Sequence, residues 1–263
     1  MIFEFNDLSW SYDCDTPFQK LGLNTHSISI NSGNLVGILG ATGSGKSTFV
    51  KLVSGLLDYK IRIRANGVDL TPVEVSYVFQ QPEHQLFEET VLAELEFALD
   101  NYKIAKELWP SLISDSLIRC GLDHSFLGRH PLDLSGGQKR RVAIASVLVY
   151  QPNILVLDEP LAGLDVQSSK VLIDTMRSYV NSKTLVFWVS HDHEALLEWA
   201  DMALVFEDQS IKYMGSVAES IAECNVADPL LRDFLSKRLR DSNALNGKEI
   251  IEELKVSSYA NQL

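Results

Sequence analysis

Residues 40–48 read "GATGSGKST", and this stretch decides the fold. Its spacing matches G-x-x-x-x-G-K-[ST], in which glycines allow backbone N–H groups to surround phosphate oxygens without a clash from a Cβ atom. The apolar run "LVGILG" (35–40) predicts a buried parallel strand before the loop, and a helix is predicted from about Lys46 to Leu57. A chance glycine-rich turn is the alternative, but the strand and the helix on either side favour a phosphate loop.

A loop of this type also predicts where a nucleotide and its Mg²⁺ ion bind. Lys46 should reach the β- and γ-phosphates, and the Ser47 hydroxyl should ligate Mg²⁺. The N-terminus of the following helix attracts the same anion. The predicted nucleotide-binding residues of the loop are Gly40, Ala41, Thr42, Gly43, Ser44, Gly45, Lys46, Ser47 and Thr48.

Two acids follow a second apolar stretch, "ILVLDEP" (154–160). A buried strand here would bring Asp158 and Glu159 to the carboxyl edge of a sheet, where ligands of such folds bind. We expect Asp158 to hold Mg²⁺ and Glu159 to act as the general base that activates water. The alternative is that the pair only ends a strand and caps the next segment, and the phosphate loop makes this alternative weaker.

Strands and helices alternate after residue 154, as in "SSKVLIDTMRSYV", "TLVFWVS" and "HEALLEWA". This order predicts a parallel sheet with helices on both faces, interrupted by a helical block at about 85–150. A second glycine turn, "LSGGQKRR" (134–141), opens a helix predicted over Ser135 to Val149. One chain therefore carries two phosphate-facing turns. Ser135 is also a plausible helix N-cap, and the two roles are compatible because a helix N-terminus attracts anions.

Length and composition narrow the class of protein. The 263 residues suffice for one large domain, or for a domain with a smaller one embedded in it. There is no run of 18 apolar residues and no secretory pattern at the start, so we expect no membrane span and a cytoplasmic location.

Cys14, Cys120 and Cys224 have no metal-type or disulfide spacing, and we expect reduced thiols. The net charge of −12 argues against a nucleic-acid partner.

The motifs, in this order, resemble those of the ABC-type ATPases: "GATGSGKST", Gln80, "LSGGQ", "ILVLDEP", "AGLD" and His191. The resemblance covers the chain up to about residue 225. It implies an α/β fold with a P-loop NTPase (RecA-like) core, an N-terminal antiparallel β-subdomain and an inserted α-helical subdomain. It also implies an ATPase domain over 1–226 and a C-terminal helical tail over 227–263.

The resemblance assigns further roles with ATP and Mg²⁺ as ligands. Gln80 and His191 join Glu159 as catalytic residues, and Gln80 also joins Ser47 and Asp158 at the metal. Tyr12 stacks on adenine, although a cross-strand aromatic pair is an alternative and Trp10 is a competitor. In this family two subunits pack head to tail, which explains the second glycine turn. The residues that would bind the ATP of the partner subunit are Ser135, Gly136, Gly137, Gln138 and Asp165.

The segment "FQQPEHQLFEET" (79–90) resembles the energy-coupling factor transporter ATPases, which power the import of vitamins or transition-metal ions. The resemblance implies a second ATPase subunit, identical or paralogous, together with a membrane scaffold subunit and a substrate-binding membrane subunit. It places the chain at the cytoplasmic face of the membrane and gives Glu83 the contact with the scaffold. The alternative for Glu83 is a solvated acidic turn. The alternative functions are an ATPase subunit of another ABC importer or exporter and a non-transport ABC ATPase.

Overall fold

The computed structural model describes residues 1–13, 18–57, 61–70, 74–224, 229–241 and 249–252. Cys14 and the chain beyond residue 252 lie outside the described residues. The chain divides into two compact units, which are described separately. Unit 1 comprises Met1–Asp69 with Phe187–Leu263, and unit 2 comprises Leu70–Val186.

An antiparallel sheet opens unit 1, as the family resemblance implies. The alternation of "IFEFN" places Phe3 and Phe5 in the core, where both are fully buried, while the residues between them stay at least partly accessible. The strand order of this sheet is β4-β1-β6-β7, and β2 and β3 form a separate two-stranded sheet. The bounds are β1 Ile2–Asn6, β2 Ser9–Tyr12, β3 Lys20–Asn24, β4 Ser27–Asn31, β6 Arg62–Ala65 and β7 Val68–Asp69.

A second sheet in unit 1 carries the phosphate loop. Strand β5 (Asn34–Gly40) runs parallel to β11 (Met202–Glu207), whose other edge pairs antiparallel with β12 (Ser210–Gly215). Helix α1 (Lys46–Val53) follows β5 directly. On α1, Phe49 packs against the rings of three other phenylalanines at centroid distances of 5.2–6.4 Å, so an aromatic cluster supports the helix after the loop.

Helix α1 is shorter than the sequence predicts. It ends at Val53, because Gly55 adopts a φ of +67° and the N–H groups of Gly55 and Leu56 bond back to the carbonyls of Leu52 and Lys51, a common helix ending. Towards the C-terminus of the chain, α8 packs against α7, and Leu235 of α8 is fully buried. The remaining helices of unit 1 are α6 His193–Trp199, α7 Val217–Glu223 and α8 Pro229–Asp241.

Unit 2 combines parallel strands with the helices of the predicted helical block. Strand β8 (Val75–Val78) runs parallel to β9 (Ile154–Asp158), whose first four residues are fully buried, as expected for a strand covered on both faces. Strand β10 (Leu185–Val189) crosses the division between the units. The helices are α2 Val91–Asn101, α3 Trp109–Arg119, α4 Gly136–Leu148 and α5 Val166–Tyr179. Within the described ranges, no helix is both long and apolar enough to cross a bilayer.

Candidate functional site

The phosphate loop of unit 1 forms a cradle that requires glycine. Gly40 adopts a φ of +142°, and a Cβ atom there would lie 2.4 Å from the carbonyl oxygen of Phe206 on β11. Gly43 and Gly45 also have positive φ, and Gly45 immediately precedes α1. The glycine spacing therefore allows the chain to turn tightly between β5 and the N-terminus of α1.

The polar side chains of this loop suit an anion. Lys46 is 7% exposed, and its Nζ donates to the carbonyl oxygens of Gly40 (2.5 Å) and Ala41 (2.9 Å). The Ser44 hydroxyl is buried and has no hydrogen-bond partner among the described residues, while Ser47 is exposed. A buried ammonium, a spare hydroxyl and a helix N-terminus in one loop fit a nucleotide phosphate.

The turn between β11 and β12 supports the loop, and sequence reasoning missed it. Gln209 donates from Nε2 to the carbonyl oxygen of Gly43 (2.9 Å), and its own carbonyl accepts from the Asn24 N–H (2.6 Å). Asp208 and Gln209 both have positive φ. A cavity of about 340 Å³ lies between this turn and the loop. The sequence shows only a polar turn here, so nothing in it indicated the contact.

Tyr12, the predicted adenine-stacking residue, is hydrogen-bonded to the first turn of α1. Its hydroxyl lies 3.1 Å from Oγ1 of Thr48, and its ring stands edge-on to Trp10 with centroids 4.1 Å apart. A Cβ atom at Gly22 would lie 2.9 Å from the Tyr12 ring, so the facing strand must be small there. The two aromatic alternatives raised by the sequence are therefore direct neighbours.

His191 lies in the same unit, between β10 and α6, and is exposed. The next residue, Asp192, caps α6 by accepting from the Ala195 N–H at 2.9 Å. The Asp192 N–H donates to the hydroxyl of Ser190 at 3.0 Å. This short network fixes the backbone on both sides of His191.

In unit 2, Asp158 ends β9 and accepts a hydrogen bond of 2.5 Å from the hydroxyl of Tyr77 on β8. Burial raises the pKa of Tyr77, and the hydrogen bond to Asp158 raises it further, so the hydroxyl remains a donor. Sequence reasoning missed Tyr77. The signal was present, because alternation in "VSYV" places Tyr77 on the opposite face from the buried Ser76 and Val78.

Glu159, the predicted general base, has a φ of +47°, which is uncommon for a residue other than glycine. Its carbonyl accepts from the Ala162 N–H at 3.1 Å, so the chain turns directly after the strand. Backbone strain of this kind is typical of functional sites, although it does not identify the function.

The second glycine turn, "LSGGQ" (134–138), is called the signature turn from here on, and it caps its own helix. The Ser135 hydroxyl accepts from the Gln138 N–H (3.4 Å), and the Gln138 side chain accepts from the Ser135 N–H (3.0 Å). Asp165 caps α5, because its carboxylate accepts from both the N–H and the hydroxyl of Ser168, and these hydrogen bonds hold the pKa of Asp165 below its usual value. A Cβ atom at Gly137 would lie 3.2 Å from the Ser168 hydroxyl, so the two caps are close together.

Gln80 and Glu83 are both joined to Arg140 on α4. The carbonyl oxygen of Gln80 accepts from Nη2 of Arg140, and Oε2 of Glu83 lies 3.5 Å from its Nε. The Glu83 side chain is 22% exposed. The acid that the sequence suggested as a surface contact is therefore paired within its own unit, because Arg140 extends from the adjacent helix.

Each unit thus holds part of the predicted set. Unit 1 contains Tyr12, the phosphate loop and His191, and unit 2 contains Gln80, the signature turn, Asp158, Glu159 and Asp165. The individual roles given to these residues remain predictions. Comparison with known proteins decides the family.

The sequence profile of the ABC transporter family matches residues 23–162. The chain belongs to this family. It is 36% identical to the energy-coupling factor transporter ATP-binding protein EcfA2 of Acetivibrio thermocellus, over 92% of this chain and 91% of the relative. It is 34% identical to EcfA2 of Clostridium perfringens, over 100% of this chain and 96% of the relative.

A solved structure agrees with this assignment. The chain is similar to cbiO1 from Clostridium perfringens, part of the ABC transporter complex cbiONQ, with a TM-score of 0.70 and 26% identity. The match covers 90% of this chain and 94% of that one. The predicted fold class is therefore confirmed. The chain is an ATP-binding and ATP-hydrolysing ABC subunit of the energy-coupling factor type.

Proposed function

We propose that the ABC subunit works as one of a pair, in which each ATP lies between the phosphate loop of one chain and the signature turn of the other. One observation carries this proposal: Ser135 and Gly136 are exposed at the capped N-terminus of α4. A helix N-terminus at the surface is suited to an anion supplied by another molecule. Two such half-sites per chain give two whole sites in a symmetric pair.

In the proposed mechanism of ATP hydrolysis, each predicted residue has one role. Lys46 and the backbone N–H groups of the loop bind the phosphates, and His191 hydrogen-bonds the γ-phosphate. Glu159 accepts the proton of the attacking water, and Gln80 orients that water. The oxygen donors of Ser47 and Asp158 suit Mg²⁺, which would neutralise charge on the phosphate oxygens. The second ATPase subunit is identical to this chain or a paralogue.

The proposed output is import of a vitamin or a transition-metal ion. This part draws on the names of the relatives, which are energy-coupling factor transporter subunits, and on cbiO1, which belongs to a transporter complex. A membrane scaffold subunit and a substrate-binding membrane subunit would complete the transporter complex. This chain would lie at the cytoplasmic face of the membrane.

The turn Pro82–Gln85 is the proposed docking element for the scaffold. His84 and Gln85 are exposed, and Glu83 presents an acid beside them. Because Glu83 also pairs with Arg140, Glu83→Arg would place two cations together, and Glu83→Gln is the cleaner test. We expect Glu83→Gln to weaken assembly with the scaffold and leave ATP binding intact. Glu88→Gln, a nearby acid without that pairing, is the matched control.

Mixed chains test the paired arrangement. Lys46→Ala removes the phosphate ligand and Ser135→Arg blocks the signature turn, so each variant should be inactive alone. A mixed pair retains one intact site, and random pairing of an equal mixture should restore about a quarter of wild-type hydrolysis. No recovery would reject a pair of identical chains. Affinity purification of the tagged chain from its host would then show whether a paralogue and the membrane subunits accompany it.

A further inference from the structure

The guanidinium of Arg140 joins three segments of unit 2. Its Nη2 donates to the Gln80 carbonyl, its Nη1 donates to the Ala162 carbonyl at 2.7 Å, and its Nε lies 3.5 Å from Oε2 of Glu83. The Arg140 side chain is only 5% exposed. Burying a charged group is costly unless it is paired and hydrogen-bonded, so this cation is compensated by contacts from all three segments.

Each contacted segment carries a residue of the predicted site. Gln80 is itself the predicted water-orienting residue, and its backbone is the part that Arg140 binds. Ala162 closes the turn that begins at Glu159, since the Ala162 N–H donates to the Glu159 carbonyl. Arg140 extends from the second turn of α4, whose first turn is the signature. One buried side chain therefore holds the Gln80 backbone directly, and the turn that begins at Glu159 through Ala162, against the signature helix.

We propose that Arg140 is a positioning residue for ATP hydrolysis, which sets the places of Gln80 and Glu159 without touching the nucleotide. The inference rests on the proposed roles of those two residues. A guanidinium is needed, because two separate nitrogens donate to the Ala162 and Gln80 carbonyls while Nε faces the Glu83 carboxylate, and one side chain makes all three contacts. Lysine has a single ammonium and would satisfy only some of them.

Three variants of the full-length chain test the role. Arg140→Met removes every donor, and Arg140→Lys retains a charge without the guanidinium. Arg141→Met is the matched control, because Arg141 lies on the same helix and bonds the carbonyl of Gly121, a residue with no predicted role in the site. For each variant, kcat for Mg-ATP would be divided by the titrated number of ATP-binding sites, and the Kd for ATP would be measured separately.

We expect Arg140→Met to lower kcat per binding site by about tenfold or more, since small misplacements of reacting groups cost rate steeply. Arg140→Lys should fall between Arg140→Met and the wild type. The Kd for ATP should stay within about twofold, because an interaction made only in the transition state changes kcat and leaves ground-state binding unaltered. Arg141→Met should match the wild type in both measurements.

A purely structural role would reduce the number of binding sites and leave kcat per site unchanged, and that result would overturn the inference. An equal loss of kcat in Arg141→Met would overturn it as well. If Arg140→Met does not fold, Arg140→Lys decides by the same criteria. Glu159→Gln distinguishes a failure of the proposed catalytic roles from a failure of the Arg140 inference. Wild-type hydrolysis in that variant rejects both. Loss of hydrolysis in Glu159→Gln with full kcat in Arg140→Met rejects the Arg140 inference alone.

Discussion

The hydroxyl of Tyr77 donates a 2.5 Å hydrogen bond to Oδ2 of Asp158, and so links strand β8 to the predicted magnesium ligand at the end of β9. The two strands are parallel neighbours, with Tyr77 opposite Val156. Carboxylates that bind metals are commonly oriented by a hydrogen bond of this kind. Tyr77 thereby selects one orientation of the Asp158 carboxylate.

Tyr77→Phe should raise the Mg²⁺ concentration that gives half-maximal ATP hydrolysis. Loss of a partner that orients a ligand typically costs about 10–100-fold in metal affinity. The measurement is a Mg²⁺ titration of hydrolysis at saturating ATP. Tyr150→Phe is the control, because the Tyr150 hydroxyl bonds Ser76 and does not contact Asp158. An unchanged Mg²⁺ requirement in Tyr77→Phe would mean that the hydrogen bond does not orient a metal ligand.

Tyr12→Ala should weaken ATP binding, because loss of an aromatic stacking partner costs about 1–3 kcal/mol per base, or about 5- to 150-fold in Kd. Tyr12→Phe keeps the ring and loses only the contact with Thr48, so its Kd for ATP should stay near that of the wild type. Fluorescence titration with ATP measures both. If Trp10→Ala weakens binding more than Tyr12→Ala does, Trp10 is the stacking residue and the assignment of Tyr12 is wrong.

Two glycines of the phosphate loop should tolerate alanine very differently. The Cβ atom of Gly43→Ala would meet open space, so only the positive φ destabilises this variant. We expect a loss of about 1–2 kcal/mol in the free energy of unfolding, or about 2–8 °C in melting temperature. Gly40→Ala has a positive φ and also places Cβ 2.4 Å from a backbone oxygen, so it should destabilise the chain more. Thermal unfolding of both variants without nucleotide is the measurement. Equal melting temperatures would show that the contact at Gly40 relaxes freely.

Cys120 should resist alkylation in the folded chain. It is 1% exposed, and burial raises the pKa of its thiol to about 12, so the thiolate is scarce at pH 8. Cys224 is half-buried, and burial with the nearby Glu223 and Glu207 also raises its pKa. We expect iodoacetamide at pH 8 to label Cys224 slowly and Cys120 only after denaturation, as peptide mass spectrometry would show. Equal native labelling of both thiols would contradict the buried position of Cys120.

Much of the fold could be predicted because its signals are local. The phosphate loop lies between a continuously apolar strand and a helix, and "ILVLD" is a buried strand whose acids follow at its end, so local sequence determines both. The end of α1 was missed because Gly55 lies inside an apolar pattern that continues to Leu57. Only its positive φ in the folded chain shows that the helix has ended.

The contacts that Arg140 and Gln209 make with the site could not be predicted, because they join residues far apart in the sequence. Arg140 bonds a carbonyl 60 residues away, and Gln209 bonds one 166 residues away. Every residue has a backbone carbonyl, so the residue type does not show which carbonyl accepts a side-chain hydrogen bond. The sequence therefore indicates which groups carry the chemistry, while the side chains that hold those groups in place appear only in the fold.

Hydrolysis by Glu159→Gln tests the central claim most directly. The account predicts that this variant binds ATP as the wild type does, while Mg-ATP hydrolysis falls by about 10²–10⁴-fold, the usual contribution of a general base. Phosphate release under single-turnover conditions, measured beside ATP binding on the same preparation, gives both quantities. Wild-type hydrolysis by Glu159→Gln would contradict the claim that Glu159, at the end of β9, activates the water that cleaves ATP.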